Sequence, residues 1–338
     1  DEDASTRGRA NALRLAMTGQ LGEDGLTSDG VMDALSLCLS CKACKAECPN
    51  AVDMSKMKAD VLQMHHDKHG LPLSAKLIAN MPAMARRLAG PLAPLVNALQ
   101  SLWLVRRVVQ CFTGIDARRP YPKLTRHPMP GVSRAPDPTS QHRVVLFNDT
   151  YMNYYEPQIG RAAIDLLGAC GYDVMIADAG CCQRPAISKG RLNKARKDGE
   201  ATLRRLLRFA EEGLPILFLE PSCASAIVDD LPDLVSDRVL GEQVKKHCQM
   251  LDHFLADALD ARQIKGRFIA NDAELLIHGH CHQKALFGTQ GMHRLFDSID
   301  GLSFSEVDSG CCGMAGSFGY EHYNLSMQIG EQRLFPAV

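Results

Sequence analysis

The sequence has almost no net charge, no apolar stretch long enough to cross a bilayer, and no basic-then-apolar leader. Lysine and arginine number 38 against 39 aspartates and glutamates, a formal net charge of -1 over 338 residues. That balance exerts no strong pull toward nucleic acid or an anionic membrane, and no nucleic-acid partner is expected. The longest uncharged run, Gly90 to Val105, contains Asn97, Gln100 and Ser101 and falls short of a membrane span. The start of the chain is acidic and helix-patterned, unlike a signal peptide, so a cytoplasmic setting is expected. The chain begins at Asp1 without an initiator Met and stops at Val338 without a closing turn, which suggests truncation at both ends.

Cysteine, by contrast, is abundant at thirteen residues. In a chain of this length, with cysteines in ligand-like groups, metal binding is the expected use and a disulfide framework is not. Cys38, Cys41, Cys44 and Cys48-Pro49 form a C-x2-C-x2-C-x3-C-P run, the spacing by which bacterial ferredoxins hold a [4Fe–4S] cluster. Ser40, Lys42 and Ala43 permit the tight wrap, while Lys42 and Lys45 would set positive charge beside an anionic cluster. Zinc also suits four thiolates, although zinc sites usually separate two C-x2-C pairs.

The N-terminal part reads as helical. A helix over 6–18 puts Ala10, Leu13 and Met17 on one face, and Asp53 caps a helix from Met54 to about His66. Residues 1–72 thus form an α-helical ferredoxin-like module. Residues 73–117 are an apolar helical connector flanked by Arg86-Arg87 and Arg106-Arg107. Packing between domains is the simpler account of it, with a peripheral contact to the inner membrane face or a partner as the alternative. Residues 118–142 carry six prolines and read as a linker over a surface.

After Gln141 strands alternate with helices, which implies α/β architecture with mostly parallel sheets. Strands are expected at Arg143–Phe147, Tyr172–Ala177, Pro215–Leu219, Glu274–Ile277 and Phe304–Val307. Helices are expected at Pro157–Cys170, Leu192–Glu212 and Gly241–Ala261. From strand start to adjacent cysteine pair the spacing is 181 − 143 = 38 in the first half and 311 − 274 = 37 in the second. Two pseudo-repeated Rossmann-like halves follow, over 143–265 and 266–338. Each pair, Cys181-Cys182 and Cys311-Cys312, falls just past a strand's carboxyl end, where open α/β sheets place ligands. Adjacent cysteines make an awkward disulfide but can grip one metal centre. Cys223 extends the first set and Cys281 the second. The first half has Asp149-Thr150 where the second has its own cysteine, so the second is the better cluster holder. The first-half offset of 41 from Cys182 to Cys223 projects to position 353, so a further ligand of the second site is expected outside this sequence. Cys111, Cys170 and Cys248 read as structural residues in helical context.

These stretches resemble the iron–sulfur portion of flavin-linked D-2-hydroxyacid dehydrogenases. The resemblance rests on Ser5–Asn11, Cys38–Pro49, Glu220-Pro221-Ser222-Cys223, His280–Lys284 and Cys311–Gly319, and it covers nearly the whole chain. It extends to the glycolate oxidase iron–sulfur subunit, the anaerobic glycerol-3-phosphate dehydrogenase small subunit and the cysteine-rich part of heterodisulfide reductase. It implies electron transfer from FAD, carried by an oxidase domain absent here or by a partner subunit, to a quinone or carrier protein. It also implies a [4Fe–4S] cluster at Cys38–Cys48, and a second iron–sulfur cluster or zinc at a Cys-Cys-Gly site. This stretch alone would not oxidise substrate. The alternatives are thiol–disulfide chemistry of the heterodisulfide-reductase kind and a structural zinc scaffold. In two-cluster ferredoxins the fourth cysteine of such a run serves the other cluster, so Cys38, Cys41 and Cys44 would take their fourth ligand from elsewhere.

Overall fold

The structure is a computed structural model and describes residues 2, 5–129, 142–264, 268–308 and 310–338. Helices predominate and all paired strands are parallel among the described residues, compatible with an α/β fold.

The first helix, Thr6–Met17, begins where the Ser5 hydroxyl accepts the Gly8 N–H at 2.9 Å. Its buried face differs from the one expected: Leu13 and Ala16 turn inward, and Met17 is solvent-facing. The inward pair meets Val31 and Leu35 of helix Asp29–Ser36, and Met54 and Val61 of helix Met54–His69, in a small core that includes Cys38. Asp53 caps that last helix, as expected, by accepting the N–H groups of Ser55 (2.9 Å) and Lys56 (3.2 Å). The helix runs three residues further than the sequence implied and ends at Gly70, whose positive φ of 92° suits a residue without Cβ.

Four strands form one parallel sheet: β1 (Arg143–Phe147), β2 (Asp173–Ala177), β3 (Ile216–Phe218) and β4 (Cys248–Met250), in the order β2-β1-β3-β4. Alternation along β1 and β3 feeds two cores. Val144, Leu146 and Leu217 join Leu167 and Leu255 on one face. Val145, Phe147, Ile216 and Phe218 join Leu203 and Leu206 on the other, where the Phe147 and Phe218 rings stack at 4.8 Å. Strand β4 corrects the long helix expected over 241–261. The chain instead forms helix Arg238–Lys245, strand β4 beside β3, and helix Leu251–Asp260. Cys248 therefore lies in a strand, not a helix; Cys111 lies in helix Trp103–Thr113, and Cys170 caps helix Pro157–Ala169.

Two further strands, β5 (Ile269–Ile277) and β6 (Asp300–Glu306), pair in parallel as a separate sheet, with a register shift between Ile269 and Ala273. Helix Gln290–Asp297 joins this unit to helix Leu251–Asp260 through Arg294, which contacts Asp257 (2.6 Å) and Asp260 (2.8 Å). Each unit has a strand, a helical crossover, a parallel strand, and then the cysteine pair.

The proline-rich stretch expected over 118–142 lies partly, at 130–141, outside the described residues. Its described portion is pinned to the surface: Thr125 N–H donates to Tyr154 O at 2.8 Å, and Leu124 is buried.

Candidate functional site

Three of the four cysteines in the C-x2-C-x2-C-x3-C run line one cavity of about 410 Å³, namely Cys38, Cys41 and Cys44. Ser40 (φ 51°) and Lys42 (φ 63°) take left-handed backbone on either side of Cys41, which lets the loop wrap around the cavity. Non-glycine residues adopt that conformation at a cost, so two in succession are a built feature. The Met54 N–H reaches the Cys44 sulfur at 3.4 Å. Burial pushes the Cys41 thiol up, with Cys38 and Cys44 adding to the shift. Cys48 does not line the cavity. Its sulfur accepts backbone N–H groups of Val52, Asn50 and Ala51, which hold it below the ordinary thiol value.

The second sulfur group comprises Cys281, Cys311 and Cys312. Helix Cys281–Leu286 follows β5 and is capped by His280, while the Cys311-Cys312 pair follows β6. Gly313 N–H donates to the Cys311 sulfur at 3.3 Å. Gly313 has φ 82°, and a Cβ there would sit 2.1 Å from Ser326 O, so no other residue fits. The thiols hydrogen-bond in series. The bond from Cys311 holds Cys281 below the ordinary thiol value, while Cys311 and Cys312 are pushed up as donors.

The third group, Cys181, Cys182 and Cys223, is built on the same local geometry. Gln183 stands in place of Gly313, with φ 67°, and its N–H donates to the Cys181 sulfur at 3.3 Å. Thr150 opens helix Thr150–Tyr154 after β1 just as Cys281 opens its helix after β5, but Thr150 donates to the Cys181 sulfur, whereas Cys281 accepts from Cys311. Cys182 and Cys223 bring their sulfurs to 2.9 Å, both buried. All three thiols are held up: Cys181 by the bond to Cys182, and Cys182 by Cys223 and burial against the pull of Cys181. The bond from Cys182 pulls Cys223 down, but burial together with the charges of Asp149 and Glu220 raises it to about 12. Here a metal would have to displace three reluctant protons, whereas in the second-half group Cys281 gives up its proton more readily than an ordinary thiol. All the cysteines are free.

The groups are brought together. Helix Cys281–Leu286 packs against helix Ala43–Glu47 of the cavity loop and against helix Pro221–Ser225, which carries Cys223. Cys41 lies near enough to Cys281 to oppose its ionisation.

What joins them is an ion cluster the sequence reading missed. Lys42 borders the cavity, but its ammonium is engaged elsewhere. Its side chain is 0% exposed, and its ammonium donates to Asp53 (3.0 Å), Asp229 (2.6 Å) and Asp230 (2.6 Å). Lys45 likewise turns to Asp229. Asp229 and Asp230 end a π-helical segment, Ala226–Asp230, just after the Cys223 helix. Such segments re-aim side chains within helices. The acidic pair inside an apolar run was the available signal. Three carboxylates this close could invite a metal ion, but the Lys42 ammonium already fills that role. Arg184, two residues past Cys182, extends the cluster by donating to Asp230 (3.0 Å) and Ser40 O (3.0 Å) and lying 3.3 Å from His282 Nε2; His282 Nδ1 meets the Ser225 hydroxyl at 2.8 Å. Arg9 lines the cavity, and beside it the Lys58 ammonium donates to Cys38 O at 2.7 Å and is lowered by burial to about 8.

Soft thiols on a tight loop, with N–H groups aimed at sulfur, are a donor set that fits an iron–sulfur cluster. The cavity supplies three such thiols, and Cys281, Cys311 and Cys312 supply another three.

Comparison with known proteins points to redox enzymes. The chain is 29% identical over 251 residues to one subunit of the anaerobic glycerol-3-phosphate dehydrogenase of Escherichia coli (strain K12), covering 71% of this chain and 62% of that one. It is 25% identical over 342 residues to D-2-hydroxyglutarate dehydrogenase of Pantoea ananatis (strain AJ13355), covering 98% of this chain and 33% of the relative. It is 22% identical over 200 residues to lactate utilization protein A of Bacillus cytotoxicus (strain DSM 22905 / CIP 110041 / 391-98 / NVH 391-98), covering 57% of this chain and 80% of that protein. The chain thus spans under two thirds of the glycerol-3-phosphate dehydrogenase relative and about a third of the hydroxyglutarate dehydrogenase. No family model and no solved structure matches. The similarity supports an oxidoreductase role. No helix among the described residues is long and apolar enough to cross a membrane.

Proposed function

We propose that this chain is the iron–sulfur electron-transfer portion of a flavin-linked 2-hydroxyacid dehydrogenase. It would pass electrons from FAD on a separate domain or subunit to a quinone or carrier. The observation that carries this is the meeting of two three-thiol groups, Cys38/Cys41/Cys44 and Cys281/Cys311/Cys312, across the contact between helices Ala43–Glu47 and Cys281–Leu286. A bound cluster supplies one-electron transfer at such a group. The protein's own share is to hold the loops in register through Lys42 and Arg184, aim N–H groups at sulfur, and keep water from Cys38. The module boundaries at 72, 117, 142 and 265 belong to the same proposal.

Anaerobic reconstitution followed by iron, sulfide and zinc analysis with EPR tests the reading. Iron and sulfide with a reducible cubane signal is expected; zinc without iron would overturn it. Substrate-dependent dye reduction by the isolated chain should be absent, and turnover would contradict the electron-transfer role. A second reading, thiol–disulfide chemistry, is favoured at one place only, where Cys182 and Cys223 lie 2.9 Å apart.

A further inference from the structure

The two helices Ala93–Ser101 and Trp103–Thr113 contribute no residue to the three thiol groups, yet they carry much of the exposed apolar surface. Leu92, just before the first, and Leu95 and Leu99 along it are exposed. Trp103 (63% exposed), Leu104 (68%), Val108 and Phe112 (74%) are exposed along the second. Leu104, Val108 and Phe112 recur at four-residue spacing and so share one helix face. Helix Trp103–Thr113 has no buried residue at all. Contiguous apolar surface of this kind marks an interaction site.

Charge says what would cover it. From Lys68 to Ile115 the sequence contains six lysines or arginines and no aspartate or glutamate. The segment therefore carries +6 in a chain whose net charge is -1. Lys76, Arg86, Arg87 and Arg107 are exposed, and the Arg107 guanidinium lies 5.3 Å from the centre of the Trp103 indole. A second copy of this face would set arginine against arginine with no carboxylate between. A flat anionic bilayer answers both features: acyl chains take the leucines, Trp103 sits at the headgroup level, and lipid phosphates pair with the arginines. With 9 and 11 residues, the helices are too short to span and would lie in the surface. The geometry points to a bilayer-docking face formed by helices Ala93–Ser101 and Trp103–Thr113 and specific for anionic phospholipid. It deepens the peripheral-membrane alternative and does not require that the thiol groups bind iron.

Trp103 is the only tryptophan in the chain, so its fluorescence reports this face alone. The 338-residue chain would be mixed with phosphatidylglycerol–phosphatidylcholine vesicles and with pure phosphatidylcholine vesicles, then followed by emission, quenching by brominated acyl chains, and flotation. A blue shift, bromine quenching and co-flotation are expected with the anionic vesicles only. Arg86→Gln with Arg87→Gln should weaken binding about thirtyfold, and Leu104→Asp with Phe112→Asp should abolish it. Those exposed positions leave the fold intact, checked by circular dichroism. Unchanged emission, equal binding to neutral vesicles, or binding that survives Leu104→Asp with Phe112→Asp would overturn the proposal. So would a blue shift that appears without lipid as protein concentration rises, which would mean that a second copy covers the face.

Discussion

The Arg184 guanidinium donates to the carbonyl of Ser40 at 3.0 Å across 144 positions of sequence. It thereby ties the loop after Cys182 to the loop that carries Cys41, and the same side chain holds Asp230 and reaches His282 beside Cys281. Arg184→Ala should therefore destabilise the chain by about 3 kcal/mol, since charge-assisted bonds contribute roughly 1.5–3 each. Arg184→Lys should recover less than half of that, because an ammonium lacks the planar fork that serves several acceptors at once. Urea unfolding midpoints decide; a full recovery by lysine would show that charge alone matters.

Lys42 is the centre of the ion cluster. Replacing it with Met leaves Asp53 without an ammonium and Asp229 and Asp230 with only Lys45, Lys56 and Arg184, which should cost about 3–5 kcal/mol. The pH dependence follows from the same contacts. Burial works against ionisation of Asp53 and Asp229, but Lys42 prevails and holds both below the ordinary carboxylate value. A depressed folded pKa means stability that is present above the unfolded value of about 4 and lost as pH falls below it. Denaturation midpoints should fall between about pH 4 and pH 2, and Asp229→Asn should flatten that slope. An unchanged slope would contradict the assignment.

Cys182 and Cys223, with sulfurs 2.9 Å apart, stand at crosslinking range but are buried and hold their protons, so diamide should join them in the metal-free chain faster at pH 9 than at pH 7. Two thiols lose two protons and two electrons to the diamide, which becomes the hydrazine. Peptide mapping by mass spectrometry should find the 182–223 crosslink, and Cys223→Ser should remove it. Absence of that crosslink at pH 9 would show that the pair is shielded.

The cysteine run divides by location, so its serine variants should divide too. Cys38→Ser, Cys41→Ser and Cys44→Ser should each lower reconstituted iron by one cluster and remove one EPR signal. Cys48→Ser should spare that signal, because its sulfur lies off the shared cavity. Cys281→Ser, Cys311→Ser and Cys312→Ser should remove a different signal. Loss of the Cys38–Cys44 signal in Cys48→Ser would return Cys48 to that centre.

Local pattern carried much of this architecture. Strand β1 falls at the residues its apolar run implied, and the long helix ends one residue before the expected Glu212. The cysteine pairs do follow parallel strands, because the glycine or Gln183 after each pair supports the same N–H-to-sulfur turn. Three residues of β4 were hidden between two helix-forming stretches, since a buried strand of that length has no period of its own. Met17 misled for a related reason: at a helix end, apolar character does not ensure a partner. The role of Lys42 was invisible because its three partners come from positions 11, 187 and 188 residues away, and spacing rules see only neighbours.

Those separations also set an order of assembly. A nascent chain that has just emerged through Lys42 has no Asp229 or Asp230 to receive its ammonium, and about 190 further residues must leave the ribosome first. The cysteine-rich loop is thus synthesised well before it can be completed. Ribosome-bound chains ending before Asp229 should leave that loop open to protease and to thiol reagents, and chains extending well past Asp230 should close it.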